Sequence, residues 1–585
     1  MFSAAIALAV PACVLYDVLD GQIRESNCAR PIEQSTAKNP KTFEMFLAPR
    51  VSATTCAHQP NRAGRTSAVL RSRRLLRRAR RYWVDRILLG AILTLALVLR
   101  IHTFSTRPLW DDEAWSLSFV YLENPWKIAS FGLQRFHPPL LLLTHYFVCW
   151  LSAHLLDTTI AGLRAPSVLI GEIAIAVIYK AGATLLTSEA GLIAAVFSAV
   201  NVLLIIHSQE MRMYSLFLLL SWLSIVLLAR ALRLRTLRWW ALYGTATFFL
   251  IYTHNYAVFV LAAEMLYVLM SIPGWRARVS LLARMWAFWA AAYAPAVAIF
   301  ARSLRSHVAL QGGVHQPATL ASLARTYQHL TMWTGSSAIF LVPIAAFILF
   351  GARRALAMRE SRAAGALAVF LATAPLLMWC VSPPVLFGDE KYFIFASPAL
   401  LLLFAFGLIA IPIGLRLIVI AVLLAASMPA LSSYYDDAAH PAYDQAAAYV
   451  RSQNRVAAPI LVGNGMRVFS YYYAGKYPRM GSEEWNSFVI QMPRRSILFD
   501  PSAKDPMRPS PSSDLYAERI APGVFWISKS ITETARELDR SAIASFWTVA
   551  SSKEPLSLED LRDSRYRLAD ERQFGEVVVH RYTSN

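Results

Sequence analysis

The sequence predicts an α-helical polytopic membrane protein with about eleven transmembrane helices, interfacial helices in its first outer loop, and a soluble C-terminal α/β domain. Three observations predict it. Of 585 residues, 56% are hydrophobic and only 16% charged, and the mean hydropathy is +0.41, too apolar for a water-soluble globule of this length. Apolar runs of about 20 residues recur between positions 86 and 431. From residue 432 onward charged residues are spread throughout, and helix-like pieces alternate with strand-like ones.

Residues 1–70 mix small, polar and proline residues without periodicity, and Phe2–Leu19 is interrupted by Pro11 and lacks a basic n-region. This stretch reads as disordered or as an over-extended N-terminus, with Met45 an alternative start, rather than as a signal peptide. The membrane domain is expected over 71–431. It opens with Arg71, Arg73, Arg74, Arg77, Arg78, Arg80 and Arg81, directly before the first span at 86–102, so this end stays cytoplasmic by the positive-inside rule.

Further runs lie at 138–156, 163–182, 189–206, 214–232, 239–254, 256–272, 285–302, 334–351, 363–381, 391–410 and 412–431. If all of them crossed, the clusters Arg230/Arg233/Arg235/Arg238, Arg276/Arg278/Arg284 and Arg353/Arg354/Arg359/Arg362 would face outward, against the charge rule. One run must therefore not cross. The run 138–156 opens with Pro138-Pro139, holds His145 and His154, and carries Tyr146, Phe147 and Trp150, so it is expected to lie as an amphipathic or re-entrant helix on the outer leaflet. That parity gathers Thr103–Pro139, His207–Tyr214, Ser303–Trp333 and Val381–Lys391 on one outer face, together with the tip Thr253-His254-Asn255.

The formal net charge of +20 comes from arginines in short clusters between apolar runs, where they act as topology signals and give no footprint for nucleic acid. Cys13, Cys28, Cys56, Cys149 and Cys380 show no paired spacing and argue for neither a zinc site nor a redox pair. In the C-terminal domain, 432–585, "YDQAAAYVRSQ" reads as a helix and "APILVG", "GVFWIS", "SFWTVAS" and "EVVVHRYT" as strands. Residues 476–515 form an irregular Pro/Ser/Arg-rich insert.

Polar residues at the outer face are the candidates for chemistry. Asp111, Asp112 and Glu113 are three adjacent acids whose repulsion needs a cation or a proton, unless they are simply a solvated loop. "HSQEMRMYS" places His207, Glu210, Arg212 and Tyr214 at a helix end, either as an interfacial anchor or with a purpose. His137 precedes the double proline of "RFHPPL". Lys391 opposes the dipole of the helix it starts and would suit a bound phosphate, whereas Asp389 and Glu390 are favoured there in any case. His307, His315 and His329 match no metal template.

Together "PLWDDEAWSL", "FHPPLLLLTHY", "HSQEMRMYSLFLLL" and "YTHNYAVFVLAAE" resemble the polytopic GT-C glycosyltransferases, in particular the dolichyl-phosphate-mannose protein mannosyltransferase and aminoarabinose transferase group. The resemblance spans about residues 80–430. It implies a GT-C fold and an inverting transfer of a sugar from a polyprenyl-phosphate donor to a lipid, glycan or protein acceptor. It also implies an active site and C-terminal domain outside a bacterial inner membrane. The family's Asp-Glu pair falls on Asp112-Glu113, which implies Asp112 as the general base, with the extra acid Asp111 before it. Arg212 and Tyr214 fall on its "RMY" element and His137 on its "HPP" element. Asp111, His137, Glu210, Arg212, Tyr214, His254 and Lys391 are then expected to line the substrate site. The leaving phosphate needs cations, Arg212 and Lys391, or a metal. Glu113, with Glu210 or His137, would orient the acceptor or bind a divalent cation, the one cofactor in view. The rival readings are a lipid-linked sugar flippase or other transporter and a non-catalytic envelope assembly protein. No internal repeat of the transporter kind is visible.

Overall fold

The computed structural model describes residues 62–120, 143–156, 159–310, 319–332, 338–381, 390–436, 442–456, 458–463, 466–474, 517–521, 524–527, 544–552 and 565–584. The readings of residues 1–61, His137, His315 and the insert 476–515 fall outside the described residues. The chain divides into two units, Met1–Thr94 and Leu95–Asn585. The first contributes the N-terminal part of helix α1 (Arg62–Ile101).

The second unit continues with α2 (Asp111–Val120), α3 (Leu143–Leu155), α4 (Ile160–Leu185), α5 (Ser188–Val200), α6 (Val202–Ser208), α7 (Tyr214–Leu234), α8 (Leu237–Ile251), α9 (Ala257–Ser271), α10 (Trp275–Leu310) and α11 (Leu320–Thr331). Next come α12 (Leu341–Ala357), α13 (Arg362–Val381), a 3-10 segment Glu390–Ala396 running into α14 (Ser397–Leu408), and α15 (Ile413–Asp436). Among the described residues five helices are long and apolar enough to cross a membrane, six if α5 and α6 count as one broken span. Helices α8 and α9 have 15 residues each and α12 has 17, about 22–26 Å at 1.5 Å per residue, short of a 30 Å hydrocarbon core. Helix length and composition therefore do not reach the expected count of eleven. Within the run 138–156 the described residues 143–156 hold α3, 13 residues and about 20 Å long, shorter than a 30 Å hydrocarbon core.

The run 189–206, expected as one span, is bent by 65° between α5 and α6. Asn201 is the physical reason. Its side-chain oxygen accepts from Leu204 N at 3.2 Å and caps α6, while its amide donates to Thr331 O at 2.7 Å and His329 O at 3.2 Å. The carbonyls released at the end of α5 are met by Arg100, fully buried, which donates to Ala199 O at 3.1 Å and Ser198 O at 3.3 Å.

Helix α4 packs on both α5 and α7, α8 packs on α7, and α14 packs on α5 and α12. Their shared core holds Phe197, Phe217, Trp222, Phe395 and Phe404. Small residues permit the tightest approach: a Cβ on Gly351 of α12 would meet the Leu403 carbonyl oxygen of α14, and one on Gly407 the Phe347 carbonyl oxygen. Gly351→Val is expected to cost about 1–3 kcal/mol, since a backbone carbonyl cannot swing aside as a side chain does. A thermal scan in detergent checks this against Gly414→Val, where a Cβ meets nothing within 4 Å. Equal midpoints for the two variants would refute the close-approach reading.

The C-terminal region holds α16 (Tyr443–Gln453), α17 (Met466–Ala474) and one six-stranded mixed sheet in the order β2-β3-β1-β4-β6-β5. Its strands are β1 (Ile460–Val462), β2 (Ala517–Ala521), β3 (Val524–Ile527), β4 (Ser545–Ser551), β5 (Tyr566–Phe574) and β6 (Val577–Ser584). Strand β1 runs parallel to both β3 and β4, and the other pairings are antiparallel. Strands β5 and β6 close through Gly575, whose φ of 56° supplies the left-handed turn conformation. Residues of α16, α17, β1, β4 and β6 form one apolar cluster with Leu109, Ala114 and Leu117, so the C-terminal region packs directly against helix α2.

Candidate active site

Helix α2 begins where the Trp110 carbonyl accepts Glu113 N at 3.0 Å and Ala114 N at 3.1 Å, which puts the three acids in its first turn, where the helix dipole favours negative charge. They do not share a fate. Asp112 has a third of its side chain exposed, whereas Glu113 is fully buried. For Asp111 only the backbone is described.

Arg164 of α4 takes the buried acid. Its Nε donates to Glu113 Oε1 at 2.7 Å and its Nη2 to Oε2 at 2.5 Å, and Oε1 also accepts Met211 N at 2.8 Å. The same guanidinium donates to the carbonyls of Phe104 (2.8 Å), Arg107 (3.0 Å) and Pro108 (3.2 Å), so one side chain ties down the loop before α2. Both oxygens of Glu113 are thus spent inside the protein. The structure places Glu113, expected with Asp112 at the site, inside the protein in a two-point ion pair with Arg164. Sequence reasoning missed Arg164. The available signal was an arginine two residues before Pro166 inside an otherwise apolar run.

Asp112 instead meets two cations from distant parts of the chain. Its Oδ2 lies 3.4 Å from Lys391 Nζ and 3.6 Å from Arg212 Nη2. Arg212 also donates to the Asp112 backbone carbonyl at 2.9 Å and lies 3.5 Å from Ser116 Oγ. Burial opposes the Arg212 charge, and Asp112 together with Tyr214 and Tyr146 outweighs that effect and holds the guanidinium protonated. Lys391 Nζ lies 5.0 Å from the centre of the Trp110 ring and 5.8 Å from those of Tyr214 and Tyr392.

Tyr214 is buried at the start of α7 with His207 (4.6 Å between rings) and His254 (6.0 Å) beside it. His254 stacks on Phe217 at 4.6 Å, and its Nδ1 accepts Tyr256 N at 3.1 Å. Burial, then the nearby Arg212 and Lys391 charges, pushes its imidazole down to about 3, so the ring is neutral and Nδ1 is its acceptor. Behind Arg212, His145 of α3 is buried, with Nε2 3.4 Å from Ser116 Oγ, and is likewise pushed down to about 3 by burial and by Arg212. Glu210 pairs with His207 Nδ1 at 2.9 Å, and His329 with Glu390 at 2.7 Å. From the C-terminal region, Tyr472 of α17 accepts Leu109 N at 2.8 Å, one residue before Trp110.

Asp112, Arg212, Tyr214, His254 and Lys391 are therefore brought together, with Glu210 joined to the group through His207. Among the described residues no three His, Cys, Asp or Glu side chains gather as a metal site. What the arrangement offers is a carboxylate one-third exposed and flanked by two cations, over an aromatic floor and beside the neutral imidazole of His254.

Residues 137–302 match the model of the dolichyl-phosphate-mannose-protein mannosyltransferase family. No curated protein matches the sequence. The crystal structure of ArnT from Cupriavidus metallidurans in the apo state is similar over 86% of this chain and 98% of that one, with a TM-score of 0.52 and 14% identity. The apo oligosaccharyltransferase of Archaeoglobus fulgidus is similar over 81% of this chain and 70% of that one, with a TM-score of 0.50 and 12% identity. The architecture is that of the GT-C membrane glycosyltransferases, and the chain is an integral membrane protein of that fold.

Proposed function

We propose that the protein is a membrane glycosyltransferase that moves a sugar from a polyprenyl phosphate to an acceptor hydroxyl at the extracytoplasmic face, with inversion and with Asp112 as general base. The observation that carries the reading is the Asp112 carboxylate held between Arg212 and Lys391. The name of the matched family supports a lipid-phosphate sugar as donor, and the fold supports a transferase.

A phosphodiester entering the site competes with Asp112 for the two cations, and the carboxylate they release can take the acceptor proton. The acceptor oxygen then bonds to the anomeric carbon while the bond from that carbon to the phosphate oxygen breaks. Its electron pair stays on the polyprenyl phosphate, where Arg212 and Lys391 stabilise the charge. Glu113 is a positioning residue that fixes the helix on which Asp112 sits.

Full-length protein in lipid nanodiscs, given an α- and a β-linked polyprenyl phosphate sugar with extracts of envelope lipids, glycans and proteins, tests this. The expected result is release of bare polyprenyl phosphate and a product of opposite anomeric configuration by NMR. Retained configuration, or transport of the intact donor without its cleavage, would sink the proposal.

A further inference from the structure

Helix α7 begins beside the candidate site with Tyr214 and runs for 21 residues to Leu234, about 30 Å, which is the thickness of a hydrocarbon core. At that far end the chain gathers positive charge. Between positions 230 and 284 stand seven arginines and a single acid, Glu264, which is fully buried and accepts from Ser224 Oγ and Tyr243 OH at 2.7 Å each. We propose that the arginines of the α7–α8 turn and of the start of α10 form a docking site for the phosphate headgroup of an anionic phospholipid, on the membrane surface remote from Asp112.

The turn supplies the first argument. Arg233, Arg235 and Arg238 are exposed, and their side chains have no hydrogen-bond or ion-pair partner among the described residues. A cation here complements the C-terminal dipole of α7, and Arg233, in the last turn, already does so. Arg235 goes further. It caps α7 in the left-handed region at φ 55°, where glycine is the unstrained residue. Its guanidinium is therefore kept at the turn against the preference of the backbone, for a purpose that capping does not supply.

Helix α10 supplies the second. It runs the same way as α8, with α9 between them in the chain, and the two pack on each other. A Cβ on Gly244 of α8 would meet Phe288 Cζ of α10 at 3.7 Å. Counted back from that contact at 1.5 Å per residue, Arg238 lies about 9 Å along α8 and Arg284 about 6 Å along α10, nearly level with each other, with Arg278 and Arg276 further out. Arg278 donates from Nε and Nη2 to the Ile272 carbonyl, and Arg284 from Nη2 to Ser280 Oγ at 2.9 Å, so neither charge is met by a carboxylate. The same two helices expose Leu237, Trp275, Val279 and Trp286. The partner must offer an anion and hydrocarbon side by side. A phospholipid does, whereas a nucleic acid or an acidic peptide would leave those apolar side chains in water.

Native mass spectrometry of the full-length protein, washed free of lipid in detergent and titrated with phosphatidylglycerol or phosphatidylcholine of the same acyl chains, tests this. Phosphatidylglycerol is expected to bind at least about tenfold tighter, since each arginine near the surface contributes about fivefold. The triple variant Arg233→Gln, Arg235→Gln, Arg238→Gln is expected to lose most of that preference. Arg235→Gly separates charge from fold: glycine suits the left-handed position, so the thermal midpoint should hold or rise while phosphatidylglycerol binding falls about fivefold. Arg567→Gln, at an exposed arginine of β5, is expected to leave binding unchanged. Equal affinity for the two lipids, a preference that the triple variant retains, or displacement of phosphatidylglycerol by an equal concentration of single-stranded DNA, polyglutamate or glycerol phosphate would overturn the proposal.

Discussion

Asp112→Asn is expected to lower sugar transfer by at least about 100-fold, the range that removal of a general base costs. The substitution preserves shape and leaves the backbone carbonyl to which Arg212 donates at 2.9 Å, so helix α2 should keep its place. What disappears is the partly exposed carboxylate able to take a proton, and with it the counter-charge shared by Lys391 at 3.4 Å and Arg212 at 3.6 Å. The two effects separate experimentally. Turnover collapses because no base remains, while bare polyprenyl phosphate is expected to bind as tightly as before or tighter, because both cations lose a competing anion. A plain structural role for Asp112 would weaken lipid binding and turnover together. Transfer at a near wild-type rate in the Asn variant would end the general-base assignment.

Much of the site was legible because its residues break the composition around them. Charged and aromatic groups at helix ends, such as Asp112, Arg212, Tyr214 and Lys391, stand out against apolar runs, and charge parity alone put their segments on one face. What parity could not supply is which acid faces outward. Asp112 and Glu113 are neighbours in one helical turn, so their side chains diverge by about 100°, and the inward one needed a partner from α4 that reads as part of a span. Strands β3, β4 and β6 and helix α16 lie on the segments whose alternation or periodicity marked them. Helix α17 and strand β5 escaped, since "MRVFSYYYA" is too short and aromatic to show a helical stripe and "YRLADERQF" carries charges on both faces. The bend at Asn201 escaped too, because a lone Asn in an apolar run announces neither its capping of α6 nor the arginine that closes α5.

Arg164→Leu is expected to produce the largest loss of stability of any single change at the site, about 3–5 kcal/mol, the cost of stripping one partner from a buried ion pair. Glu113 would stay fully buried with a charge and only Met211 N as a partner, and the carbonyls of Phe104, Arg107 and Pro108 would lose their donor. Adding Glu113→Leu removes the stranded charge, so the double variant should regain part of the loss even though it carries one more mutation. Recovery is expected to be partial, because the three loop carbonyls stay unmet in both variants and the double variant also takes from Met211 N its acceptor. Thermal midpoints of the two single variants and the double variant in detergent give the coupling directly. If the single costs simply add, the pair is not what holds α2, and the placement of Asp112 must depend instead on Tyr472 and the apolar cluster that α2 shares with the C-terminal region.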